Sequence, residues 1–501
     1  MGPISGQTPN SEITALGKKE NRMKRYLNFI GGEFVPPASN GFMSVINPAT
    51  EEVISEVPES SAEDVRMAAD AAFSAKKEWG RLPPNERAVY LRKLAALIRE
   101  NLDSLAGIIT EELGKTYASS KFDVLRGAEF IEYAAEWARR LEGEVVPTDS
   151  RSETMLILKQ PWGVVAGITP WNAPIMSMGR KVGPALITGN TIVVKPSSTT
   201  PNNAFEFAKL VQQAGIPKGV VNVLSGNGSI VGRELVQNPR VSFVTMTGSV
   251  EAGQDIVRNS AENLTKVSLE LGGKAPAIVM DDADLGVAVD CVMKSRFFAS
   301  AGAVCVAAER LYVHEKVKDE FLDRLIDEIK KIKVGDPMQP DVDMGPVSSK
   351  SLLSKISGMV GRAMDEGART IIGGKRPAHL AKGFFYEPTI LSGCRRNAEI
   401  MRKEIFGPVF LFSTFKTLDE AIELANDCEY GLASSIYTRS ISSMMRALNE
   451  LEAGETYVNR AHGSTLQGYH AGWKKSGIGG DDGKHGIAEY MQTHVAYIQT
   501  Q

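Results

Sequence analysis

Val220-Val221-Asn222-Val223-Leu224 runs directly into Ser225-Gly226-Asn227-Gly228-Ser229-Ile230-Val231-Gly232, a short apolar stretch followed by glycines spaced G-x-G-x-x-x-G. This reads as a strand, a tight turn and the start of a helix, because glycine lets a backbone approach a phosphate at a helix N-terminus. Neighbouring segments repeat the arrangement. Val241–Met246 leads into Thr247-Gly248-Ser249 and then Gly253, while Thr191–Val194 ends on Lys195-Pro196-Ser197-Ser198, which sets a cation at the C-terminal edge of its strand. One glycine-rich turn is common in strand–helix connections. The three together point to a dinucleotide pocket at a sheet edge, although the spacing is not the usual Rossmann fingerprint.

Outward from this stretch the alternation continues. Strand-like runs at Val164–Ile168, Thr191–Val194, Val220–Leu224, Val241–Thr245 and Ala277–Val279 are separated by helical segments at Met176–Leu186, Asn203–Ala214, Ile230–Gln237 and Gly253–Ala261. That order predicts βαβ units and a doubly wound parallel sheet. A second set follows: helices near Asp284–Ala299, Val317–Ile332, Ser351–Glu366, Leu418–Ala425 and Ile441–Leu451, with strands at Arg310–Val313, Thr370–Ile372 and Ser434–Tyr437. The fold class is therefore α/β, with two α/β domains and no low-complexity linker between them.

Before Met155 the pattern is helical. Ser61–Lys77, Pro84–Leu113 and Ala118–Leu141 carry apolar residues three and four apart, and Ser60 or Ser61 followed by Glu63-Asp64 is a helix start. Tyr26–Val35 reads as two short strands around Gly31-Gly32. Residues 1–24 are polar, broken by Gly and Pro and lack an apolar core of the secretory kind, so a mobile tail is expected there. His494–Gln501 is strand-like without a hairpin partner and is expected to pair with something distant, such as another subunit.

The chain has 501 residues, with 57 Lys+Arg against 60 Asp+Glu, and its net charge of −3 lacks the basic excess of a nucleic-acid binder. Its 43% hydrophobic and 23% charged residues exclude wholesale disorder. Apolar windows such as Val182–Val194 are broken by Gly, Pro and Asn well before the ~18–20 residues of a membrane span. Cys291, Cys305, Cys394 and Cys428 form no C-x-x-C pair and are too sparse for a disulfide framework, so a reducing, cytoplasmic setting is expected. No metal-ligand spacing is present.

A second constellation lies further along. Leu269-Glu270-Leu271-Gly272-Gly273-Lys274 is followed, 35 positions after the glutamate, by Cys305 in Ala301-Gly302-Ala303-Val304-Cys305. A carboxylate between leucines is partly desolvated, which raises its pKa as a general base requires; taken alone it reads more readily as a helix cap or an ion-pair partner. Cys305, just after a glycine-containing turn, is a candidate exposed thiol.

These stretches, with Thr169-Pro170-Trp171-Asn172-Ala173-Pro174, Gly189-Asn190-Thr191, Lys195-Pro196-Ser197, Met246-Thr247-Gly248-Ser249 and Glu404-Ile405-Phe406-Gly407-Pro408-Val409, occur in the order seen in the aldehyde dehydrogenase superfamily. The sequence resembles that superfamily from about Tyr26 to Gln501. The resemblance implies an aldehyde dehydrogenase-like fold of two doubly wound domains plus a small bridging sheet. Residues 25–144 and 166–272 would bind NAD(P), 273–470 would form the catalytic domain, and 145–165 with 486–501 would build an oligomerisation segment. A homodimer or homotetramer is implied.

The same resemblance implies residue roles. Cys305 would attack the aldehyde, Asn172 and the Cys305 backbone N–H would hold the oxyanion, and Glu270 would activate the hydrolytic water. Lys181 and Asp481 match positions used in proton relay or water positioning. The cofactor crevice would be lined by Ile168, Thr169, Pro170, Trp171, Lys195, Ser197, Ser198, Gly228, Gly232, Thr247, Gly248, Ser249, Leu271, Glu404 and Phe406. Glu270 also argues for hydrolysis, since the CoA-acylating branch typically lacks a carboxylate there.

Two departures stand out. Ala303 replaces the family's usual Gln two positions before the nucleophile, and the Glu-to-Cys spacing is one residue longer than in close relatives, which predicts a bulge before Cys305. Ser198 stands where NAD-preferring members carry Glu; an acid there repels a 2′-phosphate, so its absence points to NADP, with NAD also accepted. The run Gln467–Gly479 resembles the lactaldehyde/glycolaldehyde dehydrogenase branch, in which positions matching Arg180 and His470 face the substrate, with Trp171 also in the pocket. A small hydroxyaldehyde or sugar-derived aldehyde is expected. The alternatives are a succinate-semialdehyde-type enzyme and a non-catalytic structural homologue.

Overall fold

The structure, a computed structural model, describes residues 23–499. The expected tail at residues 1–24 therefore lies almost wholly outside the described residues.

Two sheets dominate. In the first, strands Lys266–Glu270, Phe243–Thr247, Val164–Ile168, Thr191–Lys195 and Val221–Val223 are parallel neighbours in that order. Antiparallel edges close it: Gly477–Ile478 pairs with Lys266–Glu270 on one side, and the Asn28–Ile30/Glu33–Val35 hairpin lies beside Val221–Val223 on the other. The strands are apolar on both faces because helices cover both, as a parallel sheet requires. Chain order reverses between Val164–Ile168 and Phe243–Thr247, so the crevice beyond the strand C-termini is the place where such sheets bind ligands.

The second sheet runs Arg369–Ile372, Thr389–Ser392, Val409–Phe415, Arg310–His314, Pro276–Val279, Ala433–Tyr437 and Glu455–Val458, parallel except at its first edge. Each sheet has its own apolar core, one around Leu91, Phe205 and Phe207 and another around Phe297, Phe321 and Phe410.

The helical N-terminal region differs in detail from expectation. Pro84–Leu113 is two helices, Pro84–Glu100 and Leu102–Leu113, broken where Asn101 leaves helical geometry and turns its amide onto the Leu97 carbonyl. The start at Ser61 is a capping box, with the Asp64 carboxylate accepting from the Ser61 backbone N–H at 2.8 Å. The C-terminal strand finds its partner within its own chain. Met491–Gln499 pairs antiparallel with Glu153–Pro161 over nine residues, and Glu144–Pro147 completes this third sheet. An unpaired strand satisfies its backbone groups with whichever edge the fold brings within reach, here one 330 to 346 residues earlier.

Candidate active site

Four of the five parallel strands of the first sheet end on a residue of the predicted site: Ile168, Lys195, Thr247 and Glu270. Beyond them opens a cavity of about 480 Å³. Ile168, Thr169, Pro170, Trp171, Asn172, Lys195, Ser197, Ser198, Gly228, Thr247, Gly248, Ser249, Leu271, Cys305, Glu404 and Phe406 all line it. Gly232 does not: it is buried behind a single π-turn, Gly228–Gly232, that opens into a helix of only five residues. The longer helix at the crevice is Val250–Ser260, whose N-cap Ser249 accepts from the Ala252 N–H at 3.2 Å. Met246, Ala252, Gly272, Leu352 and Lys355 complete the lining. Leu352 and Lys355 sit on a helix of the second α/β unit, where no local motif marks them.

The donor set fits a nicotinamide dinucleotide. Lys195 is 5% exposed, and burial pulls its ammonium down to about 8, leaving a cation whose one hydrogen-bond partner among the described residues is the Pro196 carbonyl at 3.1 Å. Ser198 donates to the Gly226 carbonyl at 3.0 Å on the crevice rim, where it presents no charge. Burial raises Glu404 to about 7; its carboxylate accepts from Gly273 N–H at 2.8 Å. Trp171 and Phe406 meet edge to face at 5.2 Å, and Phe406 holds its place with a left-handed φ of 61°.

Cys305 sits at a turn, half-buried, between the sheets. The loop before it is bulged, as the longer spacing predicts: Ser300, Ala301 and Gly302 all have left-handed φ, 48°, 47° and 82°. Gly273 is needed opposite, because a side chain there would run into the Cys305 carbonyl. Asn172 donates its side-chain amide to the Ala303 carbonyl at 2.8 Å, which places it against this loop with a second N–H to spare.

Glu270 is 1% exposed, and neither carboxylate oxygen has a hydrogen-bond partner among the described residues. Burial pushes it up to about 8, against a lowering by His470. His470 stands between two acids, Nδ1 at 2.8 Å from Glu455 Oε1 and Nε2 at 3.6 Å from Glu270 Oε2. Burial opposes its charge, yet Glu270, a hydrogen bond with Cys305 and Glu455 together raise it well above the ordinary histidine value. Arg180 stacks on Phe130 at 4.7 Å and pairs with Asp482 at 2.7 Å. Lys181, next on the same helix, is fully buried 2.7 Å from Asp481.

Sequence reading missed Glu455 and Tyr457, and it pointed to the stretch Asn459–His470 for substrate contacts without singling out His462. Tyr457 donates to Glu455, and His462 stacks on Tyr457 at 4.9 Å while its ring meets the Val306 carbonyl. Burial lowers His462 to about 4, so it stays neutral. Their only sequence signal is the polar density of the stretch from Glu455 to His470. A half-buried thiol at a turn, a polarising amide and an unsolvated carboxylate, set beside a dinucleotide crevice, suit acyl transfer through a cysteine.

The family model described as "Aldehyde dehydrogenase family" matches residues 34–496. The chain belongs to the aldehyde dehydrogenase family. It is 49% identical to lactaldehyde dehydrogenase of Escherichia coli K12, over 94% of this chain and 98% of that one, and the crystal structure of the E. coli enzyme superposes with a TM-score of 0.93. It is 44% identical to 3,6-anhydro-alpha-L-galactose dehydrogenase of Vibrio sp. EJY3, covering 95% and 99% of the two chains. It is 38% identical to D-glyceraldehyde dehydrogenase (NADP(+)) of Thermoplasma acidophilum, covering 94% and 95%. This aldehyde dehydrogenase is thus an oxidoreductase acting on aldehydes, with the fold of its family.

Proposed function

We propose that the protein oxidises a small hydroxyaldehyde, such as lactaldehyde, glycolaldehyde or glyceraldehyde, or a sugar-derived aldehyde, to its carboxylate with NADP, NAD also being accepted. The observation that carries this reading is a pair of donors near Cys305, suited to hydroxyl groups on the carbon chain: His470, which hydrogen-bonds the thiol, and Arg180, whose Nε–H has no partner among the described residues although Asp482 neutralises its charge. The names of the three relatives support the substrate class, and the uncharged Ser198 supports NADP.

Cys305 Sγ adds to the aldehyde carbon, and the carbonyl oxygen takes up charge against the free Asn172 amide N–H and the Cys305 backbone N–H. Oxidation of that adduct to a thioester needs a hydride acceptor, which a nicotinamide dinucleotide supplies when bound. Lys195 would hold its adenosine ribose and Glu404 its nicotinamide ribose. Glu270, with two free acceptor oxygens, takes a proton from the water that attacks the thioester carbon, releasing carboxylate and the thiol. Lys181 and Asp481 hold charge behind this site and orient the helix that carries Arg180.

A semialdehyde substrate would require an uncommitted cation for its second carboxylate. Arg180 is already neutralised by Asp482, which favours the hydroxyaldehyde. Steady-state rates on lactaldehyde, glyceraldehyde and succinate semialdehyde test this, and faster turnover of the semialdehyde sinks it. Loss of NADP reduction in Cys305→Ala, set against an active parent, separates an enzyme from a non-catalytic homologue.

Val145, Val495, Tyr497 and Ile498 expose apolar surface on the third sheet, and this sheet is our candidate for subunit contact in a homodimer or homotetramer. Four unpaired cysteines favour a cytoplasmic setting.

A further inference from the structure

The helix Pro174–Ile187 starts without a cap of its own. Its N-cap residue is Ala173, which has no side-chain acceptor, and Pro174 at the first position has no N–H. Ser177 N–H reaches the Ala173 carbonyl at 2.9 Å, which leaves the amides of Ile175 and Met176 to be satisfied from elsewhere. Asp123, on the helix Tyr117–Glu136, accepts both through Oδ1 at 3.1 Å. Its other oxygen takes Lys115 Nζ at 3.1 Å, and the pair is buried, 0% and 6% exposed.

Lys115 Nζ reaches one atom further, the main-chain carbonyl of Asn172 at 3.4 Å. Ser300, in the bulged loop before the nucleophile, donates to the same carbonyl at 3.2 Å. The Asn172 backbone is thus held from two sides, and its side-chain amide is directed at the Cys305 loop. The two helices are in close contact here, since a side chain at Gly179 would strike the Gly127 carbonyl, so movement of one moves the other. Neither Lys115 nor Asp123 lines the crevice.

We infer that Lys115 and Asp123 are positioning residues for the reaction: as a buried pair they fix the start of the Pro174–Ile187 helix so that the Asn172 amide faces the oxyanion. A carboxylate at a helix N-terminus is favoured by the amides left unpaired there, and Lys115 pairs with it while bonding the residue two positions before that helix. This role rests on Asn172 being the oxyanion donor.

Lys115→Met and Asp123→Asn test it, each compared with the parent and in an Asn172→Ala background. The readouts are aldehyde turnover and hydrolysis of p-nitrophenyl acetate, an activated ester that needs the thiol and the oxyanion donor but no dinucleotide. Each single variant should lower kcat on both substrates about 10- to 100-fold, a share of the loss expected for deleting an oxyanion donor, with KM changed less than about threefold. In Asn172→Ala the same substitutions should change kcat by less than about twofold, because there is no amide left to position. Equal losses in both backgrounds, or Lys115→Met turning over like the parent, would overturn the positioning role. Asn172→Ala with undiminished rates would instead overturn the reading of Asn172 itself. Where Asp123→Asn fails to fold, Lys115→Met decides alone.

Discussion

His470 Nε2 lies 3.6 Å from Glu270 Oε2, with both side chains almost fully buried. The imidazolium favours the carboxylate form of Glu270 and so works against the burial that raises it. Since Glu455 holds the other ring nitrogen, His470 is oriented by an acid on one side and acts on an acid on the other.

Replacing His470 with Asn removes the one nearby group that most strongly lowers the Glu270 pKa. The pH at which hydrolysis reaches half its maximum should move upward from about 8, measured as the pH profile of kcat under conditions where thioester hydrolysis limits the rate. A profile that stays in place or moves down would contradict the coupling.

Glu270→Gln should cut kcat by about 10²- to 10⁴-fold while leaving a stoichiometric first turnover of reduced dinucleotide, seen by stopped-flow absorbance. It should also change stability with a definite sign. Glu270 titrates at about 8 when folded against an ordinary 4.5, so between these values the folded state holds a proton that the unfolded state has lost. The stability it allows is fully present below 4.5 and is lost as pH rises through about 8. Melting temperatures of Glu270→Gln relative to the parent should therefore be higher at about pH 9 than at about pH 5.

Lys181→Met leaves Asp481 as an uncompensated buried charge and should cost about 3–5 kcal/mol of stability, seen in denaturant unfolding. Lys181→Met combined with Asp481→Leu removes both charges and should recover most of that loss. Additive losses would show that the two side chains act independently.

Ser198→Glu places an acid on the crevice rim, where it repels a 2′-phosphate and can bond ribose hydroxyls. The ratio of kcat/KM for NADP over NAD should fall at least about tenfold, the equivalent of roughly 1.4 kcal/mol. A parent enzyme that already favours NAD by about tenfold or more would show that Ser198 does not set the preference.

Much of this site was legible in contiguous residues. Leu269–Lys274 shows its chemistry locally: the leucines bury the glutamate, and the glycine pair admits the Cys305 and Glu404 backbone and side chain at close range. The strand ends near Ile168, Lys195 and Thr247 were likewise readable, because strand period and turn chemistry act over a few residues, whereas the strand Lys266–Glu270 was not read as one. The extra residue before Cys305 announced a bulge, and three left-handed residues form it. The break at Asn101 was not legible, since apolar spacing continues across it and only the Asn101 side chain's bond to Leu97 marks the end of the helix.

By itself, then, the sequence determined the α/β class, which depends on neighbouring residues along the chain, and it pointed to a crevice at the strand ends, while its resemblance to the family singled out Cys305, Glu270 and Asn172 as candidates. Only the tertiary structure decided that His470 is held by Glu455, that Arg180 is spent on Asp482, that Lys115 and Asp123 reach Asn172, and that the last strand pairs with Glu153–Pro161. The reason is physical. Local backbone preference is set within a few residues, whereas a buried charge takes its partner from whatever packing brings within about 3–4 Å, at any separation along the chain.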